Sequence, residues 1–204
     1  MRRRFLAGGF ALITSTLLAG SGNAQIADAA KPAPALTRIR MTTGKGVIVL
    51  DLETERAPLT ANNFLRYVDL KKLDNNAFYR AMPNGEGRGL IQGGDSRRAL
   101  PPIAHEPTTQ TGLTHSEGTI SLVRGAAGSA RGDFFICVGD MTGLDAGKGA
   151  TADDLGFAAF GHVVEGMDVV RAILASPTSA TEGSEAMKGQ MLDPRIPIVT
   201  TKRI

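Results

Sequence analysis

Glycine cuts this chain into short pieces. Of its 204 residues 25 are Gly, and the apolar runs between them are too brief for long helices but long enough for strands. Arg38-Ile39-Arg40-Met41-Thr42 alternates with period two, Thr43 to Gly46 reads as a turn, and Val47 to Leu52 is a β-branched apolar run, which together predict a hairpin. Further strand-like runs stand at Ala77 to Met82, Gly89 to Gln92, Gly118 to Leu122, Phe134 to Val138, Ala158 to Val163 and Ile196 to Lys202. Two segments carry helical periodicity. One opens at Pro58-Leu59-Thr60, with Thr60 as the expected N-cap and Leu59, Phe64, Leu65 and Val68 on one face. The other carries Met167, Val170, Ile173 and Leu174, with Glu165 and Asp168 near its positive N-terminal end. Many short strands with two widely separated helices predict a mainly β, antiparallel sheet, closed into a barrel or stacked as a sandwich.

The charge is unevenly placed. The chain has 23 basic and 20 acidic residues, a formal net charge of +3. Arg2, Arg3 and Arg4 account for that excess, and residues 1–24 contain no acid. Without that stretch the charges balance, so nucleic-acid binding loses its electrostatic support. Met1 to Arg4, the mildly apolar Phe5 to Leu18 and the small residues up to Ala24 have the layout of an export signal, with cleavage after Ala24 or Ala29 fitting. The alternative is a retained anchor. The run is shorter than the roughly 20 apolar residues a membrane span needs, so no stable span is expected after signal removal. The Arg-Arg-Arg-Phe-Leu start also resembles the twin-arginine export pattern. A soluble periplasmic monomer is expected, with residues 25–36 a flexible Ala- and Pro-rich lead-in and residues 37–204 one folded domain.

Familiar reaction machinery is scarce. Cys137 is the one cysteine and reads as core, so an internal disulfide and a redox Cys pair are excluded. There is no Gly-x-Ser-x-Gly elbow, Gly143 to Lys148 lacks Walker spacing, and His105, His115 and His162 are scattered without metal-ligand spacing. No cofactor or metal is expected, and no nucleophile and base can be paired. What stands out is Phe78-Tyr79-Arg80-Ala81-Met82-Pro83 followed by Leu90-Ile91-Gln92-Gly93-Gly94-Asp95. Arg80 and Gln92 are long polar side chains inside apolar strand-like sequence, where they are costly unless they face a cleft or a partner. The plainer reading is a structural Arg80 paired with Asp95 or Glu86.

These two blocks resemble the signature of the cyclophilins, barrel-shaped peptidyl-prolyl cis-trans isomerases, interrupted by a longer loop at Asn84 to Arg88. The likeness extends to Ala57-Pro58-Leu59-Thr60, Asn63-Phe64, Gly118 to Leu122, Phe134-Phe135-Ile136 and Phe160 to Met167. The resemblance implies a closed eight-stranded antiparallel barrel with a helix at each open end, and Pro-containing polypeptides as substrates. It also implies that Arg80 is catalytic, that Gln92 supports it and the substrate backbone, and that Phe135 floors the proline pocket. Leu90, Leu122, Val123, Asp133 and Phe157 are then the expected pocket residues. Some positions depart from the family pattern: Asp133 replaces a common Gln, Arg124 an Asn, Gly89 a pocket Phe and Phe157 a His, and the usual rim Trp has no counterpart. Asp133 and Arg124 could pair across the groove. The altered rim keeps a second expectation open, a proline-segment binding module with little turnover.

Overall fold

The computed structural model describes residues 33–85, 87–94 and 99–204. The expected export segment and its cleavage points lie outside them, as do Glu86 and Asp95. Among the described residues the elements run β1 (Thr37–Thr43), β2 (Gly46–Leu52), α1 (Pro58–Asp69), β3 (Asn76–Pro83), β4 (Gly89–Gly94), α2 (Thr108–Thr111), β5 (Thr119–Leu122), β6 (Phe134–Val138), β7 (Ala158–Glu165), α3 (Met167–Leu174), β8 (Thr178–Ser179) and β9 (Met191–Arg203). Neighbouring strands follow the order β1-β2-β7-β5-β6-β4-β3-β9, every pair is antiparallel, and β9 pairs back onto β1. Eight strands therefore close a barrel, which removes the exposed sheet edges a sandwich would keep. The two-residue β8 adds to β9 outside the ring, and it and α2 are too short to show periodicity in sequence.

The interior is one cluster to which every barrel strand and both long helices contribute. Phe134 sits edge-on to Phe64 of α1 at 5.2 Å and to Phe78 at 5.6 Å, geometry that favours aromatic pairs beyond their buried area. The helices plug opposite ends. Phe64 meets Phe134 at the start of β6, while Gly118, bonded to Cys137 near the end of β6, is where a β-carbon would come within 3.4 Å of the Met167 sulfur in α3. At Gly46, with φ +140°, an added β-carbon would lie 2.7 Å from a Val169 methyl, so the first hairpin turn and α3 meet only because that residue is glycine.

The start of α1 departs from expectation. Ala57 occupies the cap position without a side-chain bond, and Thr60 lies inside the helix. The capping is done from afar by Glu106, whose carboxylate accepts the N–H groups of Leu59 (3.2 Å) and Thr60 (2.6 Å) and the Thr60 hydroxyl (2.6 Å). A buried carboxylate at a helix N-terminus satisfies orphan donors and complements the dipole. Leu59, expected on the buried face, is exposed.

Candidate active site

Alternation along the strands sorts residues into two faces. On β4, β5 and β6 the inner side chains are Ile91, Ile120, Leu122, Phe134 and Ile136, whereas Leu90, Gln92, Ser121, Phe135 and Cys137 face outward. Strand β3 keeps this order only through a bulge. Its register against both β4 and β9 shifts between Phe78 and Arg80, so Phe78 and Ala81 both enter the interior although three residues apart. Tyr79 and Arg80 consequently share the outer side, opposite Gln92.

That outer face carries a second, smaller apolar cluster of Leu90, Phe135 and Cys137, flanked by Met82, Val123, Met141, Leu144 and Phe157. It underlies a hollow of about 400 Å³ to which Arg80, Gln92, Phe135, Leu90, Val123 and Phe157 all contribute. Leu122 is a correction: it is fully buried in the barrel interior, because period two from Ile120 turns it inward and presents Val123 instead. Asp133 is another. It lines a smaller adjoining cavity of about 180 Å³ with Ser129 and Arg131, joined to the hollow through Val123 and Arg124. Cys137 is core as expected, fully buried in this second, outer cluster, and burial pushes its thiol up to about 12. Gly89 has φ +149°, and a β-carbon there would sit 2.2 Å from the Met82 carbonyl oxygen, so this backbone admits no side chain where a pocket Phe is common.

Two arginines border the hollow and differ in what their five N–H donors do. Arg124 commits all of them: Nε to the Gly156 carbonyl, Nη1 to the Gly125 carbonyl and Asp153, and Nη2 to Asp153 and Thr151. Its expected partner Asp133 is thus displaced by Asp153, and its guanidinium lies 6.0 Å from the Phe157 ring centroid. Those bonds fasten the loop that carries Phe157. Arg80 has no carboxylate partner among the described residues. Its Nη1 donates to Gln92 Oε1 at 2.9 Å, its Nε and Nη2 donate to Gln190 Oε1 at 2.9 and 2.6 Å, and Nη2 also meets the Met82 sulfur at 3.4 Å. One Nη1 hydrogen is left without a partner among the described residues. Burial lowers the Arg80 pKa from its ordinary value, with Tyr79 opposing. Gln92, 5% exposed, is held at both ends, since its Nε2 donates to the Tyr79 hydroxyl at 2.6 Å. Burial and the nearby Asp133 charge push that hydroxyl up to about 12.

Beneath Phe135 lies a feature the sequence concealed. The fully buried His115 ring stacks on Phe135 at 5.8 Å and 16°. Its Nδ1 lies 2.6 Å from Asp145 Oδ1 and its Nε2 lies 3.0 Å from Ser121 Oγ. A neutral ring donating from Nδ1 and accepting at Nε2 satisfies all three groups. Burial lowers its pKa, with Asp145 partly offsetting. A nucleophile-type serine and a base are therefore adjacent after all, but Ser121 is fully buried, out of a substrate's reach, so the line serves as a mount for the Phe135 ring. No local spacing signals it, because Asp145 arrives from 30 residues away.

Comparison with known proteins agrees with this geometry. Residues 38–202 match the family model for cyclophilin type peptidyl-prolyl cis-trans isomerase/CLD. A peptidyl-prolyl cis-trans isomerase of Acinetobacter baylyi is 35% identical over 146 residues, covering 70% of this chain and 74% of its own. Peptidyl-prolyl cis-trans isomerase B of Escherichia coli is 35% identical over 132 residues, 63% of this chain and 78% of its own. Among solved structures, a Cryptosporidium parvum cyclophilin type isomerase superposes with a TM-score of 0.66 at 17% identity, covering 83% of this chain and 98% of its own, a likeness of fold. The chain belongs to the cyclophilin-type peptidyl-prolyl cis-trans isomerases. Proteins of this family bind proline-containing peptides. Among the described residues no helix is long and apolar enough to cross a membrane, and no three His, Cys, Asp or Glu side chains cluster as metal ligands.

Proposed function

We propose that Arg80 is the catalytic group, acting on a proline ring seated in the hollow above Phe135, and that the enzyme works as a periplasmic monomer on exported polypeptides. The observation that carries the catalytic reading is an Nη1 hydrogen without a partner among the described residues, on a half-buried guanidinium at the wall of an apolar hollow of about 400 Å³. Amide resonance sets a barrier of roughly 20 kcal/mol to prolyl rotation, so uncatalysed exchange takes about tens to hundreds of seconds. No bond is broken. As the bond twists, the prolyl nitrogen leaves conjugation and regains a lone pair, which a fixed donor can stabilise although the planar nitrogen cannot accept. An interaction formed only in the twisted state accelerates the reaction.

One charge-assisted hydrogen bond contributes about 1.5 to 3 kcal/mol, or roughly 10- to 150-fold in rate. The rest of the acceleration comes from the apolar surround. Phe135, Leu90, Val123 and Phe157 hold the ring and exclude water, which strengthens the Arg80 contact. Gln92 holds the guanidinium and has a second Nε2 hydrogen for the substrate backbone. Asp133, in the side cavity, contacts residues flanking the proline rather than the ring. The export reading rests on the arginines and apolar run of residues 1–24 and their absence of acids.

The test is turnover of a Xaa-Pro peptide and of a proline-limited refolding protein by residues 25–204, with Arg80→Ala alongside. The variant is expected to lose about 10- to 150-fold in kcat with its thermal midpoint nearly unchanged. Undiminished turnover would remove Arg80 from the mechanism, and tight peptide binding at the background exchange rate would make the protein a binding module. Fractionation of cells expressing the full chain checks the location: shortened protein in the periplasm is expected, and full-length protein in the cytoplasm would refute export.

A further inference from the structure

Gln190 reaches Arg80 from 110 residues down the chain and holds two of its three nitrogens. We propose that Gln190 is a positioning residue for the catalytic guanidinium, an inference that rests on Arg80 carrying the catalysis. A single oxygen accepts from both Nε and Nη2, at 2.9 and 2.6 Å, so it grips one edge of the planar group and stops rotation about its last side-chain bonds. Gln92 takes one hydrogen on the remaining nitrogen. The two amides and the Met82 sulfur together leave a single Nη1 hydrogen without a partner among the described residues, aimed by elimination. Without Gln190 the guanidinium keeps one firm tether, at Gln92, and the weak Met82 sulfur contact, and several orientations become accessible.

The acceptor chemistry fits the task. An amide oxygen fixes a cation without neutralising it, whereas Asp153 fully pairs the structural Arg124 nearby. Gln190 is also well anchored. Its carbonyl accepts the Ala81 N–H at 2.8 Å, one residue past Arg80, its own N–H donates to the Met187 carbonyl at 3.0 Å, and its Nε2 donates to the Ala186 carbonyl at 3.3 Å. Met187, from the same turn, lines the hollow. The segment before β9 thus supplies both a wall of the pocket and the second hold on its charge. The two backbone bonds do not depend on the Gln190 side chain, so replacing that side chain gives up the long Nε2 bond to Ala186 but keeps the backbone anchor.

The experiment compares the full chain with Gln190→Leu, which keeps bulk but has no acceptor, and with Gln190→Ala, each also made in an Arg80→Ala background. Steady-state kinetics on a Xaa-Pro peptide should show kcat reduced about tenfold in both Gln190 variants, with KM within about twofold because the apolar hollow is intact. In the Arg80→Ala background the same changes should cost nothing further, since the group being positioned is gone. Unchanged kcat in the Gln190 variants while Arg80→Ala is impaired would overturn this inference alone. Equal losses in both backgrounds, or a lowered thermal midpoint matching the lost activity, would make Gln190 structural and overturn it as well. Full activity of Arg80→Ala would instead bring down the catalytic reading on which it stands.

Discussion

Alternate residues of the same strands build two clusters with opposite properties. The inner one, with Phe134, Ile136, Leu122 and Phe78, is closed on all sides by strands and by a helix at each end. The outer one, with Phe135, Cys137 and Leu90, lies one residue away along the chain but opens onto the hollow that holds Arg80 and Gln92. Sealed packing makes the first a source of stability. Open packing makes the second a receptor for a ring the chain does not itself provide. Neighbouring residues should therefore fail in different assays.

The sharpest trial of that division is the pair Phe134 and Phe135. Phe134→Ala leaves a closed cavity among aromatic neighbours and should cost about 3–5 kcal/mol in denaturant unfolding, while Phe135→Ala, bordering a space already open, should lose less stability and far more turnover. Equal stability losses would erase the distinction. Next in size is the contrast between Leu122 and Leu90. Leu122→Ala should lower unfolding free energy by about 2–5 kcal/mol and leave KM of the folded fraction unchanged, whereas Leu90→Ala should mainly raise KM; the reverse pattern would restore Leu122 to the pocket. The smallest expected effect concerns the mount under Phe135. Burial holds the His115 pKa below its ordinary 6.5, so the unfolded chain binds a proton that the folded chain resists. The associated stability is present above about pH 6.5 and declines as pH falls below it. Thermal midpoints of the protein and of His115→Asn, compared between about pH 7.5 and 5, should show a shallower acid slope in the variant. Identical slopes would mean that His115 is not the group responsible.

Most of the barrel could be read from the chain because most of its strands are short, apolar or β-branched runs set off by turn residues; Phe134 to Val138, followed by Gly139, is one such run with the same limits in the fold. What escaped reading was long-range. The cap of α1 comes from Glu106, the partner of Arg124 is Asp153, and the second hold on Arg80 is Gln190, each brought close only by barrel closure. Leu122 shows a different failure. Its own strand carries the period-two signal that turns it inward, and the likeness to a family position outweighed that signal. Arg80 and Gln92 stood out because long polar groups in apolar strands are costly without a reason, and the reason is the outer hollow.

The bulge at Tyr79 makes the location of the positive charge a matter of counting. If Phe78 to Ala81 paired in strict alternation, without the bulge, the guanidinium would turn into the barrel among aromatic rings and Ala81 would turn outward. Pairing register in this one stretch thus decides on which face the charge lies, and grafting the strand onto another barrel would transfer the chemistry only if the bulge travelled with it.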